Sequence, residues 1–231
     1  MFSLSPEEWI AISLSLRIAT VATLVSLPLG IVTALILARG RFPGRSLIDG
    51  LVHLPLVLPP VVTGFALLLL FGRRGPIGAL LAGMGIVVAF RWTGAVLAAA
   101  VMAFPLMVRA IRLSIEAIDP RLEAAAGTLG ASRLWTFLLV TLPLAAPGIL
   151  VGAILAFAKA LGEFGATITF VSNIPGETQT ISAAIYSLTQ TPGGDFAAVR
   201  LACIAGAIAL AALVVSELLQ RRAVARVSGL A

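Results

Sequence analysis

Residues 118–143, IDPRLEAAAGTLGASRLWTFLLVTLP, join a short helix with polar ends to the start of a long apolar run. Asp119 predicts a helix cap, and Pro120 predicts the first helical position because its missing N–H would have no partner there. Gly130 predicts a break in that helix. Ser132 predicts the cap of a second helix that runs into the apolar segment. The stretch therefore predicts a two-part helix that projects from a membrane surface and continues into a span.

The surface of this projection is small and smooth. Glu123 lies near the start of the first helix, where the helix dipole favours a negative charge. The run Ala124, Ala125 and Ala126 follows, and Gly127 predicts a break after it. Small side chains allow the groove of another protein to close tightly around such a projection, so the segment is predicted to dock a partner.

The composition places most of the chain in a membrane. Of its 231 residues, 60% are hydrophobic and 11% are charged, and the mean hydropathy is +1.10. Soluble domains average about 45–50% apolar and about 25% charged residues. Each helical span needs about 20 apolar residues. The apolar runs are continuous and do not alternate as barrel strands do, so helices are predicted.

We predict about five transmembrane helices. Prolines interrupt the second of them, as Pro55, Pro59 and Pro60 do, and membrane helices tolerate such breaks where neighbours satisfy the backbone. Residues 172–195 contain an apolar stretch too short to span and predict a surface helix or a re-entrant element. The five spans cover roughly 12–38, 49–71, 86–108, one helix inside 138–170, and 197–219.

The distribution of arginines predicts the orientation of the chain in the membrane. The connection 39–46, the stretch 109–136 and the tail carry ten basic residues on one side of a five-span chain. The opposite side carries the basic residues Arg73, Arg74, Arg91 and Arg200. Because basic residues concentrate in cytoplasmic loops, we predict an amino terminus outside and a carboxyl terminus in the cytoplasm.

Several classes of function are disfavoured by the residues. The arginines lie between apolar segments and form no stripe with aromatic residues, so nucleic acid is not a predicted partner. The single Cys203 and single His53 offer neither a metal site nor a Ser/His/Asp or Cys/His catalytic set. Cys203 is predicted to be a small core residue. No phosphate-binding sequence of the form GxxxxGK[ST] occurs. No catalytic, cofactor-binding or metal-binding residue is predicted.

The projecting segment resembles the cytoplasmic loop of ABC importer permeases, which reads E-A-A, three residues, G, nine residues, I-x-L-P. Aligned on Gly130, this chain has Ala125 and Ala126 at one end of the pattern and Leu142 and Pro143 at the other. The resemblance implies that a loop of about 117–137 couples the spans to a partner ATPase. The predicted coupling residues are Glu123, Ala125, Ala126, Gly130, Leu142 and Pro143.

The chain departs from that pattern at two positions. Val140 stands in place of Ile, and Ala124 stands where the family has Glu. Glu123 is one residue earlier, which is a turn of about 100° on a helix. Whether Glu123 takes over the role of the family glutamate stays open, and stabilisation of the helix start is the alternative.

A second resemblance narrows the substrate. Residues 159–192, with HLPLVLPPVVTG at 53–64 and FPLMVRAIRLSIE at 104–116, look like the permeases of bacterial molybdate importers. The likeness covers nearly the whole chain, and sulfate permeases are the nearest competitors.

The resemblance implies the fold and the partners. The expected fold is the all-α type I importer fold, with residues 1–231 as a single transmembrane permease domain in the bacterial inner membrane. The expected partners are a second copy of the chain, cytoplasmic ATPase subunits that bind ATP and magnesium, and a periplasmic molybdate-binding protein. The permease itself is expected to bind no cofactor and to catalyse no reaction.

Alternatives remain. A sulfate or tungstate permease would share the coupling loop, whereas a secondary transporter that works without ATP would need internal repeats and carboxylates for ion coupling. A membrane scaffold without transport would leave the Ala/Gly loop unexplained. Lys159 and Glu163 are four residues apart and share a helix face. They are predicted either to line a translocation pathway or gate or to form a structural ion pair.

Overall fold

The computed structural model describes residues 4–227, with side chains as far as Leu219. Helices make up this range, and no strand occurs among its residues. The predicted all-α membrane fold is confirmed, because four helical stretches are long and apolar enough to cross a membrane and a broken pair makes a fifth crossing if it counts as one span. The long helices are α1 (Pro6–Arg39), α5 (Trp92–Glu116), α8 (Leu142–Leu161) and α11 (Asp195–Val227).

The remaining elements are short. The broken pair consists of α2 (Arg45–Val57) and α3 (Pro60–Phe71). A single π-helical turn, Phe137–Thr141, precedes α8. The other short helices are α4 (Pro76–Gly83), α6 (Pro120–Thr128), α7 (Arg133–Thr136), α9 (Gly165–Val171) and α10 (Ile181–Thr189).

Helix α1 begins at a reciprocal cap. The Ser5 N–H donates to Oε2 of Glu8 at 2.7 Å, and the Glu8 N–H donates to Oγ of Ser5 at 3.2 Å. The same carboxylate accepts hydrogen bonds from Nη2 of Arg200 in α11 at 2.6 Å. Glu8 therefore fixes the start of α1 and ties it to α11.

Helix α5 packs against both α1 and α8, which also contact each other. Small residues allow the close approach. A Cβ at Gly152 would lie 3.0 Å from the Met107 carbonyl oxygen, and one at Gly148 would overlap the Ser114 side chain. On the α1 side, a Cβ at Gly30 would lie 2.7 Å from Sδ of Met107. Gly148 and Gly152 therefore allow α8 to approach α5 closely.

The second predicted span, 49–71, is not one straight helix. The chain bends by 113° between α2 and α3. Leu58 adopts an extended conformation with ψ of 142°, because the ring of the following Pro59 disfavours helical geometry. Pro60 then starts α3, whereas Pro55 lies inside α2 without ending it.

The third predicted span, 86–108, was misplaced along the sequence. Helix α5 begins only at Trp92, after Phe90 has turned the chain with φ of 59°. It continues past residue 108 to Glu116. The last turns of α5 contain charged residues. Arg112 pairs with Glu116 one turn away, and this pair stabilises the helix there.

The prediction for Cys203 was also wrong. Its side chain is exposed on α11. Apolar character in a span does not imply burial in the protein, since lipid also accepts apolar side chains. The predicted short helix within 172–195 is present as α10, and its Ile181 is buried against α1 and α11. The tail arginines Arg221, Arg222 and Arg226 belong to the part of α11 whose side chains are not described.

Candidate coupling segment

The segment between α5 and α8 folds as a two-part helix. Oδ1 of Asp119 accepts a hydrogen bond from the Arg121 N–H at 2.9 Å at the start of α6. Oγ of Ser132 accepts one from the Trp135 N–H at 3.5 Å at the start of α7. Gly130 lies between them with φ of 87°, a conformation that L side chains rarely adopt. These caps and the turn agree with the sequence, but α6 runs through Gly127 to Thr128, so the predicted break at Gly127 was wrong.

Glu123 connects this segment to the spans. Its Oε2 lies 3.2 Å from Nε of Arg39, and its Oε1 accepts hydrogen bonds from Nη2 of Arg39 at 3.3 Å and from Oγ1 of Thr141 at 2.8 Å. Nη2 of Arg39 also donates to the Ile118 carbonyl oxygen at 3.1 Å. One carboxylate thus joins α6 to the end of α1 and to the π-helical turn.

The segment also carries large apolar side chains that are exposed. Leu129 is 88% exposed, and Leu122, Leu134 and Trp135 are exposed as well. We call these four residues the coupling patch. Exposed apolar patches with polar residues around them mark surfaces that bind other proteins. The segment therefore presents several exposed apolar side chains in addition to the contacts made by Glu123.

The residues of the family pattern fall into two places. Ala125, Ala126 and Gly130 belong to the projecting part, where Ala125 and Gly130 are exposed. Leu142 and Pro143 lie at its base, in the first turn of α8. The π-helical turn directly precedes them, and Pro143 has no N–H to donate to a carbonyl four residues back.

Lys159 and Glu163 are brought together at the junction of α8 and α9. Nζ of Lys159 lies 2.9 Å from Oε2 of Glu163, and the Ala166 N–H donates to Oε1 of Glu163 at 3.0 Å. The Glu163 side chain is 2% exposed and that of Lys159 is 32% exposed. This geometry favours a structural pair that closes the junction, while a role in the translocation pathway stays a prediction.

A group of charges between α2 and α5 was missed by the sequence analysis. Nη1 of Arg112 lies 2.9 Å from Oδ1 of Asp49, and Nε of Arg112 lies 2.8 Å from Oε1 of Glu116. Nη2 of Arg45 lies 3.6 Å from Glu116, and Nδ1 of His53 lies 3.2 Å from Asp49. We call these five residues the inner charged cluster. The spacing of four between Asp49 and His53, and between Arg112 and Glu116, was the signal in the sequence.

Within the described part of the chain, no group of three or more His, Cys, Asp or Glu side chains is placed to hold a metal ion. The expectation that the chain binds no cofactor stays a prediction.

Comparisons with known proteins identify transport permeases as relatives of this chain. Residues 26–228 match the family model described as a binding-protein-dependent transport system inner membrane component. The molybdenum transport system permease protein of Escherichia coli K12 is 59% identical over 94% of this chain and 96% of its own length. A sulfate transport system permease protein of Salmonella typhimurium is 40% identical over 79% of this chain and 66% of its own length.

A solved structure shares the fold. The crystal structure of a bacterial ABC transporter involved in import of the acidic polysaccharide alginate superposes with a TM-score of 0.75. The match has 21% sequence identity and covers 95% of this chain and 80% of that one.

The apolar helices and these similarities define a multi-pass permease of the inner membrane. More specifically, the chain belongs to the family of binding-protein-dependent transport system inner membrane components.

Proposed function

We propose that this chain is the membrane-spanning subunit of an ATP-driven importer and carries molybdate across the inner membrane. The substrate rests on the 59% identity to a permease whose name states molybdenum transport. The observation that carries the mechanism is the anchoring of the coupling segment by Glu123 to Arg39 and Thr141.

Two copies of the chain, two cytoplasmic ATPase subunits and a periplasmic molybdate-binding protein form the proposed complex. ATP and magnesium bind to the ATPase subunits. Residues 1–231 act as one transmembrane permease domain whose segment 117–137 docks on the ATPase through the coupling patch. The exposure of Leu129 and Trp135 supports this assignment, because both side chains offer apolar surface to a partner's groove.

The coupling segment transmits the motion of the ATPase to the spans. Because Glu123 ties α6 to α1 and to the base of α8, a displacement of the segment moves these elements together. Movement of this kind as a rigid body is how transport proteins alternate between inward-open and outward-open states. The coupling segment faces the cytoplasm in this assignment, so the amino terminus lies outside.

The proposed function is tested by oxyanion uptake into proteoliposomes that contain the permease, its ATPase and its binding protein. Molybdate, tungstate and sulfate are compared, each with and without ATP. We expect ATP-dependent uptake with molybdate ahead of sulfate. Preference for sulfate or for tungstate would reassign the substrate, and uptake without ATP would reject the importer in favour of a secondary transporter.

The coupling segment is tested in the same vesicles by Gly130→Val, with Gly127→Ala as its control. Valine at a φ of 87° costs about 1–3 kcal/mol of backbone strain. Gly127 is helical, and a Cβ added there meets nothing within 4 Å. We expect Gly130→Val to lower ATP-dependent uptake by about tenfold, since 1.4 kcal/mol corresponds to that factor, while Gly127→Ala transports normally. Normal uptake by Gly130→Val would refute the role of the segment.

A further inference from the structure

Arg109 lies in α5 and has no counter-charge in contact with it among the described residues. It lies seven residues before the end of α5 at Glu116, which is about 10 Å along the helix. Its side chain is exposed, and no described residue forms an ion pair or a hydrogen bond with it. Ionisable residues inside spans are costly and mark functional sites by default.

The surroundings of Arg109 carry an excess of positive charge. Arg109 lines a cavity of about 340 Å³ together with Asp49, His53, Arg112, Leu113 and Glu116. The carboxylate of Asp49 is engaged by Arg112, and that of Glu116 is shared by Arg112 and Arg45. Three arginines against two carboxylates leave one positive charge, counted without His53.

A second, larger cavity meets the first at Arg109. It has a volume of about 780 Å³, lies between α5 and α8, and extends to Asp119 and Leu122 at the coupling segment. Among its lining residues, Arg109 and Leu113 also line the smaller cavity. The unpaired guanidinium thus stands where an open apolar groove joins a polar pocket.

We propose that Arg109 binds an inorganic tetrahedral oxyanion at the cytoplasmic end of the transport route, an inference that rests on the proposed function. A guanidinium offers a planar fork of N–H donors that fits two oxygens of such an anion. Arg112 is already engaged by Asp49 and Glu116, so it positions the pocket and leaves the anion to Arg109. A single uncompensated charge attracts the anion and still releases it, as conduction requires.

The local potential is tested with a cysteine reporter next to Arg109. Leu113→Cys is made in a Cys203→Ser background, because Leu113 is exposed in both cavities and Cys203 is itself exposed. The permease–ATPase complex in phosphatidylcholine nanodiscs is treated with methanethiosulfonates that carry either a sulfonate or a trimethylammonium group. We expect Arg109→Gln to lower the ratio of the sulfonate rate to the ammonium rate by about fivefold. Arg109→Lys preserves the ratio.

Protection by the anion identifies the ligand. We expect molybdate to slow the sulfonate reagent when Arg109 is present and to have no effect in Arg109→Gln. The exposed Arg41, on the same side of the chain, supplies the control Arg41→Gln, which leaves the ratio and the protection unchanged. An unchanged ratio in Arg109→Gln, or protection that survives the loss of Arg109, overturns the proposal.

Lipid phosphate is the other source of a tetrahedral oxyanion. The labelling is repeated in nanodiscs that contain phosphatidylglycerol. Protection by molybdate in this lipid supports a site for the soluble oxyanion. If phosphatidylglycerol removes both the rate ratio and the protection, Arg109 binds headgroups and the proposal is overturned.

Uptake separates this inference from the proposed function. In the reconstituted importer we expect Arg109→Gln to reduce ATP-dependent molybdate uptake by about tenfold relative to Arg41→Gln, the loss of one charge-assisted contact. Equal uptake by the two variants overturns the inference about Arg109. Absence of oxyanion uptake by the unchanged protein would instead reject the proposed function, and the labelling would still decide whether Arg109 binds an anion.

Discussion

At the scale of single residues, Glu123 and Ala124 are neighbours in α6 with different surroundings. Its carboxylate turns toward Arg39 and Thr141, whereas Ala124, one residue later, is exposed. A side chain at position 124 projects about 100° away around the helix and so faces a different direction. In this chain the carboxylate at 123 therefore anchors α6 to the spans, while the side chain of Ala124 is free of that contact.

The pair formed by Lys159 and Glu163 makes a prediction about stability. Lys159→Met leaves a buried carboxylate with the Ala166 N–H as its remaining contact in the described structure. The expected cost is about 3 kcal/mol, at the lower end for a broken buried pair because Lys159 is partly exposed. At about 2–4 °C per kcal/mol, the melting temperature of the detergent-solubilised protein should fall by about 6–12 °C.

The double variant Lys159→Met/Glu163→Gln is the control, because it removes the buried charge together with its partner. It should recover most of the lost melting temperature. A single variant that melts normally but transports oxyanion poorly would show that the pair belongs to the pathway and has no structural role.

At the scale of helices, α5 and α8 pack closely because Gly148 leaves room for the Ser114 side chain. A methyl group at Gly148 would overlap the Ser114 side chain and lie 3.1 Å from the Ala110 carbonyl oxygen. In a membrane, where lipid removes the hydrophobic drive for helix association, such close backbone contact is a main source of affinity between helices.

We predict that Gly148→Ala destabilises the protein and that Gly206→Ala does not. Overpacking costs about 1–3 kcal/mol, which outweighs the roughly 0.5–1 kcal/mol that alanine gains over glycine within a helix. At Gly206 in α11 a Cβ meets nothing within 4 Å, so only the gain remains. Thermal denaturation in detergent should place Gly148→Ala below the unchanged protein and Gly206→Ala at or above it. The reverse order would contradict the packing between α5 and α8.

Local patterns in the sequence predicted the elements but not the angles between them. The caps at Asp119 and Ser132 were predictable because each acts within three residues of itself. The bend of 113° between α2 and α3 was not, since prolines indicate where a helix ends and not how the next one packs. The ion pair between Arg39 and Glu123 joins residues 84 positions apart, and no periodicity reports such a contact.

At the scale of the whole molecule, the coupling segment and the loops near α4 lie at opposite ends of the helices. Helix α1 ends at Arg39, which contacts Glu123, so the coupling segment lies at the end of the molecule remote from Ser5. Helix α4 follows α3 at the end where α5 begins. Because arginines are in excess around the coupling segment, we predict that this end faces the cytoplasm.

We predict opposite labelling of Met84→Cys and Leu129→Cys, each made in the Cys203→Ser background. Both original side chains are exposed, at 69% and 88%. In spheroplasts, a thiol reagent that does not cross membranes should label position 84 and leave position 129 unlabelled until the membrane is permeabilised. Labelling of position 129 from outside would reverse the orientation.

The π-helical turn at Phe137–Thr141 sets the azimuth of the coupling segment about the axis of α8. A π turn holds one residue more than an α turn, so the residues before it lie about 100° around the axis from where an uninterrupted α-helix of the same length would place them. Under the proposed docking, this turn therefore sets the direction from which the partner's groove approaches the segment. A chimaera that transplants residues 119–136 into another permease should therefore include the turn at Phe137–Thr141, because a regular α-helix of the same length there would rotate the grafted segment about the axis.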